Sequence, residues 1–183
     1  MLRLPQCVAG MAAMLVLVAC SGSSMVSSHA LQPESLRTAI ASLSASIDED
    51  DAAQIAQFLL QSTDELATEY NMARPPRFHN LLVHVGLRKR GLCCHWAADL
   101  RVRLQGIGSS SIRLDWVVTR HGQALLEHNS LVIHAADSTW EQGLVFDPWR
   151  KSGLPYWVRV QEDMYTWKQH PLSGNWEKLR CKL

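Results

Sequence analysis

The 183-residue chain is expected to fold as one α+β domain, helices first and an antiparallel sheet after them. Three observations carry that expectation. Apolar residues recur at helical spacing from Leu36 to Leu104. A Gly/Ser-rich break follows at Gly106–Ser111. Beyond it the period drops to two, with Ile112, Leu114, Trp116 and Val118 set between Arg113, Asp115 and Thr119.

The N-terminus reads as a processing signal rather than as fold. Arg3 supplies a short basic region, Val8 to Val18 an apolar core, and small or polar residues follow from Ala19. Leu17-Val18-Ala19-Cys20 resembles a bacterial lipobox. That resemblance implies a signal peptide over 1–19, a lipidated Cys20 and a small, polar, flexible tether over 20–32. Ser21, rather than aspartate, follows Cys20, which points to the outer membrane with the domain on its periplasmic face. A plain secretory signal cleaved near Ala19 or Ala30 is the alternative. No later apolar run is long enough to span a bilayer.

Residues 33–183 make up the domain. Pro33 marks a helix start, and Leu36, Ile40, Leu43 and Ile47 follow at helical spacing. Asp48 to Asp51 suits the positive N-terminus of a second helix, whose apolar face is Ile55, Phe58, Leu59, Leu66 and Tyr70. Pro75-Pro76 ends it, and Phe78, Leu81, Leu82 and Val85 mark a short third helix. A fourth runs from Cys93 through Trp96, Leu100 and Leu104. Strands are expected over Ile112–Thr119, Leu125–His134 and Leu144–Asp147, with a turn at His121-Gly122 and a stop at Pro148. Weaker strand-like segments lie at Tyr156–Val160 and Met164–Lys168.

Charge is balanced. Arg3 is the only charged residue ahead of Cys20, and beyond it 17 cations face 17 acids. A general polyanion binder is not indicated, and nucleic acid is not an expected partner. Cys7 leaves with the signal, and Cys20 carries the lipid. Cys93, Cys94 and Cys181 remain, an odd number where disulfides are permitted. One bridge plus one free thiol fits that count. A Cys94–Cys181 bridge would leave Cys93 free, but the sequence does not choose among pairings.

The stretch Arg90-Gly-Leu-Cys-Cys-His-Trp-Ala-Ala-Asp99 sets two thiols at the start of the fourth helix. The positive end of a helix stabilises a thiolate there, lowering the thiol pKa. Arg88-Lys89-Arg90 is a solvated helix end, or a positive field with the same effect. His128 lies in a strand, and Asp147 precedes Pro148. Cysteine, histidine and carboxylate are the parts of a thiol triad.

Gly91-Leu92-Cys93, with Trp96-Ala97 one turn on, resembles the nucleophile motif of the transglutaminase-like superfamily of papain-like fold. The resemblance covers residues 90 to 150. It implies a cysteine hydrolase or acyltransferase with Cys93 as nucleophile, His128 as its base or ion-pair partner, and Asp147 fixing the imidazole. Protein or cell-wall peptide is the implied substrate, no cofactor is required, and the lipid anchor makes the membrane a partner. Cys94 stays open as the alternative nucleophile. His95, Trp149 and Trp157 are candidates for a substrate groove. Most of the seven tryptophans are expected in the core. A rival zinc site would draw on Cys93, Cys94, His128 and His134, but no CxxC or HExxH spacing supports it. A non-enzymatic binding lipoprotein of the same fold is the other alternative.

Overall fold

The computed structural model describes residues 28–123, 125–173 and 181. The expected signal peptide 1–19, the expected lipidation at Cys20, most of the expected tether and Trp176 lie outside the described residues. Four helices come first: α1 Ser28–Ala41, α2 Glu49–Glu69, α3 Pro76–His84 and α4 Cys93–Leu104. Strands β1 Ile112–Thr119, β2 His128–Ala135, β3 Leu144–Phe146, β4 Trp157–Arg159 and β5 Lys168–Gln169 form one antiparallel sheet in the order β4-β3-β2-β1-β5. The α+β expectation holds at that level.

Period-two alternation gives the sheet two buried faces. Trp116, Leu131, Ile133 and Phe146 meet Leu36, Ile40, Leu59, Trp96, Leu100 and Leu104 from the helices. Val117, Val132 and Val145 point the other way, under Trp167 with Tyr165 and Trp140 alongside. All eight residues of β2 are therefore buried, as expected of a central strand covered on both sides. α2 starts where its acids require: Asp48 Oδ1 accepts from the N–H groups of Asp50 and Asp51 at 2.8 and 3.1 Å.

Four boundaries differ from the sequence reading. α1 begins at Ser28, not Pro33, so residues 28–32 of the expected tether are helical and Pro33 lies inside the helix, about a turn and a half from its start. α1 also stops at Ala41, where Ser42 Oγ bonds Ala39 O and the turn tightens; Ile47 is still buried, but from a loop. β2 starts at His128 rather than Leu125. Arg120, Gly122 and Leu125 have positive φ, and Glu127 N bonds Gln123 O, so a left-handed turn occupies the first residues assigned to that strand. Of the expected strand Met164–Lys168 only Lys168 is strand, opening β5; residues 164–167 instead wrap around the buried Asp163 carboxylate, which accepts from Tyr165 N and Trp167 Nε1.

The entry to α4 is narrow. Gly91 has φ +116°, and a Cβ there would lie 2.1 Å from His79 Nε2. That ring is fully buried; its Nδ1 accepts from Ala73 N and its Nε2 donates to Arg90 O at 2.9 Å. It has little room to yield. Gly91→Ala is expected to destabilise the protein by roughly 2–4 kcal/mol, combining strain and overpacking, as read from urea unfolding midpoints.

Candidate active site

Cys93 is the first residue of α4 and only 8% exposed. Leu92 before it is extended, so the chain enters the helix abruptly. His95, one turn in, closes that entry. Its Nδ1 accepts from the N–H groups of both Gly91 and Leu92 at 3.2 Å. Burial first, then the charge of Arg90, pushes its pKa down to about 4, which keeps the accepting lone pair free. His95 is therefore a buried helix cap rather than groove lining: folding back onto the first turn takes its ring away from solvent.

Cys94 is bonded to Cys181, with Cα atoms 5.8 Å apart. That removes it as an alternative nucleophile and leaves Cys93 as the free thiol among the described residues. Arg90 is not an unpaired positive charge beside the helix start. It grips Asp99 through Nε and Nη2 at 2.9 and 2.6 Å, and Asp99 also accepts from Tyr70 Oη at 2.6 Å.

His128 opens β2, and Asp147 directly follows β3 on the neighbouring strand. The antiparallel ladder thus puts both at one end of the sheet, under the start of α4. His128 Nε2 donates to Asp147 Oδ2 at 2.7 Å, with both side chains at most 5% exposed. The Cys93 thiol sits beside this ring, its sulfur 3.9 Å from the carbonyl of Glu127. His128 Nδ1 is buried and makes no hydrogen bond of good geometry among the described residues, although Cys93 acts on the ring's charge. Burial opposes the imidazolium, but Asp147 and then Cys93 outweigh it and hold the His128 pKa up at about 10.

A surrounding layer escaped the sequence reading. Asp147 also accepts from Arg150 Nε at 3.1 Å and Arg150 N at 3.3 Å. Arg150 forks onto Asp163 at 2.8 and 2.9 Å and lies between the rings of Tyr156 and Tyr165. Trp149, Tyr165 and Trp167 enclose His128, their ring centres 4.6, 5.2 and 5.5 Å away. Arg150 had a readable signal, three residues after Asp147 across a proline. Asp163 and Tyr165 had none. Of the groove candidates, Trp149 stacks on His128 and donates to Asn80 Oδ1 at 3.0 Å, while Trp157 is half-buried on β4 against the main core.

The rival zinc residues do not converge. His134 lies six residues along β2 from His128, about 20 Å away at strand rise, and is held by Asp115 at 3.0 Å. Cys94, His95 and Cys181 do cluster within 4.8 Å, but the sulfurs are bonded to each other and His95 Nδ1 is turned to backbone. No helix of the described residues is long and apolar enough to cross a membrane. No family model, curated protein or solved structure matches this chain.

The raised His128 pKa has a sign that can be checked. A histidine at 6.5 when unfolded and about 10 when folded adds stability that is full below 6.5 and is lost as pH rises through about 10. The stability difference between the protein and His128→Gln is expected to be largest near pH 6 and to shrink steadily toward about pH 10. Chemical denaturation across that range reads it; a difference that grows with pH would contradict a charged imidazole.

Proposed function

We propose that this chain is a thiol-dependent hydrolase or acyltransferase of transglutaminase-like, papain-like architecture. One observation carries the reading: a buried His128–Asp147 hydrogen bond of 2.7 Å that commits Nε2 and leaves Nδ1 for the free Cys93 at a helix start. Asp147 fixes the ring and favours its charged form, so the working couple is imidazolium and thiolate. The sulfur attacks a carbonyl carbon. The N–H groups of Cys93 and Cys94 in the first turn of α4, which have no partner within the helix, face the developing oxyanion. The proton on Nδ1 passes to the leaving nitrogen or oxygen as its bond to carbon breaks. A thioester remains until water or an amine displaces the sulfur.

Lipidation at Cys20 would tether this chemistry to the outer membrane on the periplasmic side, where protein or cell-wall peptides are the substrates at hand. A second reading, a binding lipoprotein without activity, is favoured by the closure of the site: Cys93 is 8% exposed and three aromatic rings enclose His128.

A thiol-selective probe separates the two. At neutral pH and without reductant, Cys93 is expected to be labelled while Cys94 is not. His128→Gln is expected to slow labelling about 100-fold, with circular dichroism confirming the fold. Undiminished labelling in His128→Gln would remove the couple. No labelling of the folded parent protein would leave the binding reading.

A further inference from the structure

We infer that the outward face of α3 docks on an anionic phospholipid surface. Phe78, Leu81 and Val85 follow one side of the helix at 47, 55 and 58% exposure, and Leu87 beyond its end is 66% exposed. Four of the nine large apolar side chains exposed among the described residues therefore fall within ten residues, a patch rather than scatter. The opposite side of α3 is committed to the fold through the buried His79 and Val83.

Charge decides the partner. From Asn71 to Ala98 the chain holds Arg74, Arg77, Arg88, Lys89 and Arg90 and no acid, although the domain as a whole is balanced. Arg90 is neutralised by Asp99, and Arg88 bonds Asn71 O, but Arg74, Arg77 and Lys89 are exposed at the two ends of the apolar patch. Apolar side chains flanked by cations are the pattern that enters the headgroup layer of an anionic bilayer. Position agrees. α1 returns along α2, with Arg37 paired to Glu49, so its first residue points toward the end of α2 from which α3 follows. Seven residues separate Cys20 from Ser28, and the eight steps between them reach at most about 28 Å. This last argument rests on the lipid anchor proposed above; the docking face itself does not.

Docking would bring the candidate site to the bilayer. α3 holds His79 beneath Gly91 and Asn80 against Trp149, so a seated α3 presents the Cys93 side of the domain to substrates at the membrane surface.

Hydrogen exchange on the full chain tests this, with vesicles of phosphatidylcholine alone or mixed equally with phosphatidylglycerol. Mass spectrometry of the same samples reports acylation of Cys20 separately, so failure of the anchor is distinguishable from failure of the docking face. Amides of residues 76–89 are expected to exchange about tenfold more slowly with phosphatidylglycerol present, and to recover at about 1 M salt. Leu81→Glu with Val85→Glu is expected to abolish the slowing while circular dichroism stays unchanged. Exchange indifferent to phosphatidylglycerol would overturn the inference. So would protection that rises with protein concentration in its absence, which would assign the face to a second copy of this chain.

Discussion

Two carboxylates are buried together behind the sheet, Asp147 at 2% and Asp163 at 0% side-chain exposure, and that constraint governs the site. Buried anions are tolerated only when paired and hydrogen-bonded. Arg150 joins the two and lies between tyrosine rings, which exclude water from it. One guanidinium cannot neutralise two acids. The second positive charge is the imidazolium of His128, which is why its pKa stands near 10 despite burial. Four groups of alternating sign thus close to neutrality inside an aromatic shell. The pairing immobilises the ring and leaves Nδ1 without a hydrogen bond among the described residues.

The sulfur is brought beside that ring through a separate set of constraints. Gly91 passes over the His79 ring with no room for a side chain, and His95 folds back to accept the two N–H groups just ahead of the helix. His95 acts through a neutral nitrogen, where His128 acts through a charge. The Cys94–Cys181 bond ties the same turn to the end of the chain across a separation of 87 residues. Adjacent cysteines take opposite fates because successive residues on a helix point about 100° apart, one toward β2 and the other toward the chain end.

α3 connects the two sets. His79 supports the entry to α4 from below, and Asn80 anchors the Trp149 ring that covers His128. That commitment of one side leaves the apolar residues of the other exposed among the described residues.

The sequence by itself determined the layers: helical spacing up to Leu104, period two from Ile112, and Asp48 capping α2. These are local patterns, imposed by backbone geometry on whichever residues are apolar or polar. It also singled out Cys93, His128 and Asp147, through their order along the chain and the resemblance of Gly91-Leu92-Cys93 with Trp96-Ala97 to a known nucleophile motif. Tertiary structure alone decided that Cys94 bonds Cys181, that His95 turns inward, that the chain turns left-handed before His128, and that Arg150, Asp163 and Tyr165 stand behind Asp147. The reason is physical. Each of those outcomes depends on what lies opposite in space, a sulfur 87 residues away or a carboxylate needing a partner, and no periodicity along the chain encodes it.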